Sequence, residues 1–150
     1  MLSHKKLHLA LLIHLTNQFK DQLINQYFSG ADITAAQFKV LITIYKGITS
    51  PVEISRCLMM DAGAMSRMLE RMVKRDLIIR TNNPQDKRQV ILQLTAKSEA
   101  LCEHFQTRIL GHFLADLTRR LTPEEAGQLE QLLLKMLPDE TTTPYLNLPV

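Results

Sequence analysis

Between Asp61 and Leu94 the apolar period changes from that of a helix to that of a strand, and few folds accommodate the change in so short a span. In DAGAMSRMLERMVKRD, Met65, Met68, Leu69 and Met72 recur at helical spacing. In NNPQDKRQVILQLT, Val90, Leu92 and Leu94 alternate with Gln89, Ile91 and Gln93. The first pattern lays its apolar side chains along one side of an α-helix; the second marks a half-buried β-strand. Upstream of the strand, Leu77 to Thr81 is a short β-prone run, and Asn82-Asn83-Pro84 is turn chemistry. These residues predict a helix running into a β-hairpin with a long, charged tip that holds Asp86, Lys87 and Arg88.

The segments on either side are helical. Leu7, Leu11, Leu15, Phe19, Leu23 and Tyr27 recur every four residues, with Leu12, Ile13 and Ile24 widening the stripe, which predicts one helix over 5–28. It is more apolar than a surface helix needs, so burial on more than one side is expected. Thr34 with Gln37 reads as a capping box and Ile33 with Phe38 as a hydrophobic staple, opening a second helix that should end at Gly47. Ser50-Pro51-Val52-Glu53 repeats this grammar for a short helix to about residue 58. Asp61 then caps a helix to about Arg75, with Asp76 as a left-handed terminator. After the hairpin, Thr95 caps a long helix carrying Leu101, Phe105, Ile109, Phe113 and Leu117. Thr122-Pro123-Glu124-Glu125 opens a last helix with Leu129, Leu132, Leu133 and Met136, stopped by Pro138. Residues 138–150 show no period and read as a flexible tail.

The predicted fold is therefore mainly α with a small β-hairpin. A winged helix-turn-helix over about 34–94 is flanked by terminal helices at about 5–28 and 95–137, all in a single domain over 1–137. In such a fold the second helix of the pair enters the DNA major groove. With 150 residues, 45% of them hydrophobic, the chain suffices for one core.

Charge is distributed unevenly. The net charge is +3, yet between Arg56 and Arg88 eight basic residues face four acidic ones, so this segment carries +4 and the rest of the chain −1. On a helical wheel advancing about 100° per residue, Met65, Met68, Leu69 and Met72 fall within an arc of about 100°. Arg67, Arg71 and Lys74 fall on the opposite side, about 180° to 240° from Met65. An ordinary solvated face would interleave acids, but only Glu70 is close. At the helix start, Ala64 and Ser66 are small enough for close backbone approach to bases. Ala64, Ser66, Arg67, Arg71, Lys74, Lys87 and Arg88 are the candidate DNA-contacting residues, with Asp86 supporting the hairpin tip. The methionines at helical spacing read as packing.

DAGAMSRMLERMVKRDLIIRTNNPQDKRQVILQLTAKSEAL resembles the recognition helix, wing and following helix of the multiple antibiotic resistance regulator (MarR) family of bacterial transcription factors. MVKRDL, Asp86-Lys87-Arg88 and Leu94-Thr95-Ala96-Lys97-Ser98 stand where that family has its LEKRGL-type run, its D-x-R wing and its LT-x-x-G; Asp76 and Ser98 replace the expected glycines. The resemblance implies a homodimer intertwined through its first and last helices and a pseudo-palindromic double-stranded DNA operator. It also implies repression relieved by a small aromatic or anionic effector, or by cysteine oxidation.

Other function classes fare less well. No Gly-rich phosphate loop, G-x-S-x-G or H-E-x-x-H is present, so an enzyme is not expected, and no cofactor is indicated. His4 with His8, or His104 with His112, could share a helix face and hold a metal, but solvated histidines are the more common outcome and no metal site is expected. Cys57 and Cys102 lack C-x-x-C spacing, which points to reduced thiols in the cytoplasm, with a redox switch at either as a minor alternative. The N-terminal MLSHKKLHLALLIHL mimics a signal peptide, yet His8 and His14 interrupt it and no A-x-A site follows. No stretch is long enough for a membrane span. A winged helix docking protein instead of DNA would carry an apolar or acidic face where Arg67, Arg71 and Lys74 stand.

Overall fold

The computed structural model describes residues 7–146. The element order is α1 (Leu9–Tyr27), α2 (Ala35–Tyr45), α3 (Pro51–Leu58), α4 (Ala62–Lys74), β1 (Ile78–Asn83), β2 (Asp86–Leu94), α5 (Ala96–His104), α6 (Leu110–Leu117), α7 (Pro123–Met136) and α8 (Asp139–Leu146). Helix α1 begins later than its apolar period suggested. His8 is its N-cap, with Nδ1 accepting from the Leu11 N–H at 3.2 Å, and residues 5 and 6 lie outside the described part.

Caps set most helix starts. Thr34 and Gln37 form the full capping box at the head of α2, at 3.1 and 3.2 Å, and Ile33 and Phe38 are both buried. Gly47 follows the end of α2 at φ 108°, where a side chain would be strained. Ser50, expected to cap α3, makes no side-chain cap bond; Pro51 presets the first turn, and the Ser50 carbonyl accepts from Ile54 at 2.9 Å. Asp61 caps α4 and Asp76 ends it at φ 58°, the left-handed role expected of this non-glycine residue.

Helices α1, α2, α4 and α5 close around one core with the base of the hairpin. Val40, Leu41, Ile54, Met65, Leu69, Met72, Leu77, Ile78, Leu92 and Cys102 are all at most 2% exposed. Above this layer Phe28, Phe38, Phe105 and Phe113 form an aromatic cluster, with centroid separations of 4.5 Å between Phe28 and Phe38 and 4.6 Å between Phe38 and Phe105. The Tyr27 hydroxyl donates to Asp116 Oδ2 at 2.5 Å, tying α1 to α6. This bond and the Arg119 guanidinium hold the Asp116 carboxyl below its ordinary value.

The long helix expected after Thr95 is not a continuous α-helix. Residues Phe105–Ile109 form a π-helical turn between α5 and α6, and the Leu110 N–H bonds to the Phe105 carbonyl. The apolar repeat explains it. Leu101, Phe105, Ile109, Phe113 and Leu117 are spaced by four, a spacing that drifts about 40° per step around an α-helix. A π turn inserts one residue and carries the positions after it back by about 100°. Phe105 and Phe113 thereby both reach the core.

The segment expected as a flexible tail also differs, because Asp139–Leu146 folds as α8; residues 147–150 lie outside the described part. Helices α1 and α7 leave much apolar surface open, with Leu15 at 43%, Phe19 at 45% and Leu132 at 60% exposure.

At Ser98, where the resemblance led us to expect glycine, the hydroxyl is fully buried in α5 and has no hydrogen-bond partner among the described residues. An orphaned buried hydroxyl costs about 1 to 3 kcal/mol. Ser98→Ala removes it while keeping helix propensity, and should raise stability by about 1 kcal/mol in urea unfolding.

Candidate nucleic-acid interface

The site starts from the way α4 is anchored. Met65, Met68, Leu69 and Met72 are buried, so the opposite side of the helix turns outward. Ser66, Arg67, Arg71 and Lys74 are exposed there and Ala64 is half-buried. At the helix head Asp61 Oδ1 accepts from the Ala64 N–H at 2.8 Å. At the tail Arg75 is drawn away from this face: its guanidinium donates to the Asp32 carbonyl at 2.7 Å and to Asp32 Oδ2 at 2.8 Å. One of the eight basic residues of the segment is therefore structural.

The hairpin is held to the helix pair at two levels. At its base the Thr95 hydroxyl donates to the Asp76 carbonyl at 2.9 Å, and the Thr95 N–H caps back to Leu77 at 3.4 Å. Midway, the Leu92 N–H donates to the Thr49 carbonyl at 2.9 Å, which fixes β2 against the loop leading into α3. This bond ties the hairpin to the approach to α3.

Its tip corrects the expectation of a long loop. Only Pro84 and Gln85 form the turn, and Asp86, Lys87 and Arg88 belong to β2. The pairing nonetheless slips: Asn82 pairs with Val90 and Asn83 with Asp86, so Lys87, Arg88 and Gln89 bulge out of the ladder. Side chains supply the bonds the ladder loses. Asp86 Oδ1 accepts from the Arg88 N–H at 3.0 Å, Asn83 Oδ1 accepts from the Gln85 N–H at 3.0 Å, and Asn83 Nδ2 donates to Gln89 Oε1 at 3.0 Å. Asp86 thus bonds to the main chain of the bulge. Lys87 and Arg88 are exposed.

Two open grooves connect helix and hairpin. The larger, of about 720 Å³, runs between the head of α3 and the hairpin, with Arg56, Arg80 and Arg88 around Pro51, Val52 and Ile91. The smaller, of about 240 Å³, reaches Ser66 on α4 and shares Pro51, Val52 and Arg80 with the first. Ser66 and Arg88 therefore open onto one continuous face. Sequence reasoning counted Arg56 and Arg80 in the basic segment without placing them on this face. Their signal was weak, because neither sits in a basic run.

The remaining candidates lie elsewhere. Cys102 is buried, and burial, with the charge of Glu99 adding to it, pushes its thiol up to about 12. Such a thiol is protonated at neutral pH and out of reach of oxidants. Cys57, half-buried on α3, has Tyr145 beside it; burial and a hydrogen bond with the Cys57 thiol push the Tyr145 hydroxyl up to about 12. His4 lies outside the described residues, and the π turn separates His104 from His112. Among the described residues no three His, Cys, Asp or Glu side chains gather as a metal site, and no helix is long and apolar enough to cross a membrane.

This architecture has counterparts among known proteins. Residues 33–90 match the model of the MarR family. The chain is 45% identical over 131 residues to the multiple antibiotic resistance protein MarR of Escherichia coli strain K12, an overlap of 87% of this chain and 91% of that protein. It superposes on wild-type apo MarR from E. coli with a TM-score of 0.74 at 44% identity, covering 88% of this chain and 98% of that one. A mutant E. coli MarR complexed with operator DNA gives a TM-score of 0.80 at 43% identity, covering 92% and 99%. The S. aureus MepR–DNA complex gives 0.73 at 26% identity, covering 87% and 97%. Identity of this extent across nearly the whole fold, with the helix pair and hairpin inside the matched region, leaves one conclusion: the chain belongs to the MarR family.

Proposed function

We propose that this chain is a sequence-specific double-stranded DNA-binding transcriptional regulator, acting as a homodimeric repressor that a small aromatic or anionic effector releases. The observation that carries the reading is the outward side of α4, where Arg67, Arg71 and Lys74 are exposed, together with the bulged hairpin, where Lys87 and Arg88 are exposed, and the two adjoining grooves that bring Ser66 of α4 and Arg88 of the hairpin to either side of Pro51, Val52 and Arg80. Two of the related structures are DNA complexes. Ser66 and Arg67, in the first half of α4, read base edges; Arg71 and Lys74, further along, neutralise phosphate; Ala64 keeps the approach close. The hairpin enters the minor groove, where narrow A·T-rich DNA concentrates negative potential. The three arginines around an apolar floor in the larger groove also suit an anionic aromatic effector. Regulation in the cytoplasm, by gene repression without catalysis or cofactor, is part of this reading.

A mobility-shift assay on the DNA upstream of the chain's own gene and its neighbours tests it. A shift that persists against random competitor and weakens steeply with salt is expected; binding to no duplex would overturn it.

Dimerisation is supported by the open apolar faces of α1 and α7. Leu129, Leu132, Leu133 and Met136 are 41% to 60% exposed, a run of apolar surface that a soluble monomer rarely leaves to water. Analytical ultracentrifugation at micromolar concentration should show a dimer, and Leu132→Glu together with Leu133→Glu should shift it to monomer.

The two roles on α4 separate in binding assays. Lys74→Ala should weaken selected and random duplexes alike and lower the salt slope by about one unit. Arg67→Ala should mainly erode the preference between them. Equal weakening by Arg67→Ala would reassign it to phosphate.

Arg88 and Lys87 differ in the same way at the hairpin. Arg88→Lys keeps the charge but loses the planar fork, and should cost about 1 to 3 kcal/mol if the guanidinium is used in the groove. Lys87→Ala should only reduce general attraction. A silent Arg88→Lys, measured by anisotropy at fixed salt, would remove the hairpin from the groove.

A further inference from the structure

The first turn of α4 contains an arrangement that the direct contacts do not explain. Gly63 lies there at an ordinary helical φ, so backbone strain does not demand glycine. A Cβ on Gly63 would instead meet two side chains, Arg67 Nη1 at 3.3 Å and Asp61 Oδ1 at 3.3 Å. The guanidinium of Arg67 is thus folded back along its own helix until it lies over the start of α4. The cap carboxylate flanks the same spot.

This posture has an electrostatic cost and a local remedy. A cation over a helix N-terminus faces the positive end of the helix dipole. Asp61 places a negative charge against that field while its Oδ1 holds the Ala64 N–H at 2.8 Å, and it makes no ion pair with Arg67 among the described residues. The missing methyl leaves the space that the guanidinium uses. With a methyl present the guanidinium must give way by a few tenths of an ångström.

We infer that Gly63 is a positioning residue for DNA reading: by lacking a Cβ beside Asp61 it lets Arg67 present its fork at the tip of the recognition helix, at base edges instead of phosphate. The inference rests on the proposed base-reading role of Arg67. A fork that reads a guanine edge through two parallel bonds tolerates little displacement, whereas a phosphate contact made as a point charge tolerates much.

The test is a double-mutant cycle of Gly63→Ala and Arg67→Ala. Binding is measured by anisotropy on a duplex that the unmutated protein selects from a randomised pool, and on a random duplex, at two salt concentrations. Gly63→Ala should lower the ratio of selected to random affinity roughly fivefold to tenfold, part of what one bidentate base contact contributes. Random-duplex affinity and salt slope should stay within about twofold, because no phosphate contact is lost. The melting temperature should hold or rise, since alanine is the better helix former, so the loss cannot be a folding defect. In the Arg67→Ala background, Gly63→Ala should change the ratio little. An unchanged ratio for Gly63→Ala overturns the inference, as does an equal loss with and without Arg67, which would mean that the methyl obstructs the DNA itself. Failure of the unmutated protein to select any duplex overturns the DNA-reading function and this inference with it.

Discussion

The apolar arc of α4 is the constraint on which the rest depends. Met65, Met68, Leu69 and Met72 occupy one side of a helix of only 13 residues, and all four are buried. Full burial of four such side chains is worth several kcal/mol in apolar transfer, about 1.5 to 3 each. A surface interaction between arginines and solvent is far weaker, so packing decides the rotation of the helix and the basic side follows. Arg67, Arg71 and Lys74 are exposed because the methionines are not. The same core fixes the hairpin, since Leu92 is buried beneath it while its N–H bonds to Thr49. One packing event thus orients both elements of the candidate interface.

Spacing by four residues is a second constraint, and the chain meets it in two ways. In α1 the stripe from Leu11 to Tyr27 winds about 160° around the helix. Its C-terminal end reaches the core through Ile24, Tyr27 and Phe28, whereas Leu15 and Phe19 face another direction and remain open. That unpartnered half is what a second copy would cover in the proposed dimer. Between α5 and α6 the same spacing is brought back by the π turn, so Phe105 and Phe113 stay with Phe28 and Phe38. A helix can thus use one repeat either to face two partners or, with one inserted residue, to keep facing one.

The sequence made legible what is encoded by short-range stereochemistry. The capping box at Thr34, the Asp61 cap, the left-handed Asp76 and the opposed faces of α4 all depend on residues within one or two turns of each other. What it hid depends on geometry between elements or on competing local solutions. Ser50 has the right neighbours for a cap but does not make the bond, because Pro51 already sets the turn. The hairpin tip looked long because Asp86, Lys87 and Arg88 are polar; three side-chain bonds let the strands run on to Pro84 while the excess residues bulge. Helix α8 has no apolar period to announce it, and Arg56 and Arg80 join the face only because α3 and β1 meet across a groove.

The bulge also settles how charge is presented at the tip. A regular ladder would alternate Lys87, Arg88 and Gln89 between the two faces of the hairpin. Out of the ladder, their directions are set instead by the Asp86 and Asn83 bonds. Asp86 spends its carboxylate on the backbone N–H of Arg88 and makes no ion pair with the guanidinium among the described residues. An acid inside a basic tip would ordinarily weaken attraction for an anion. Here one of its oxygens is occupied by the main chain, so it shapes the turn while the guanidinium of Arg88 keeps its donors for a ligand.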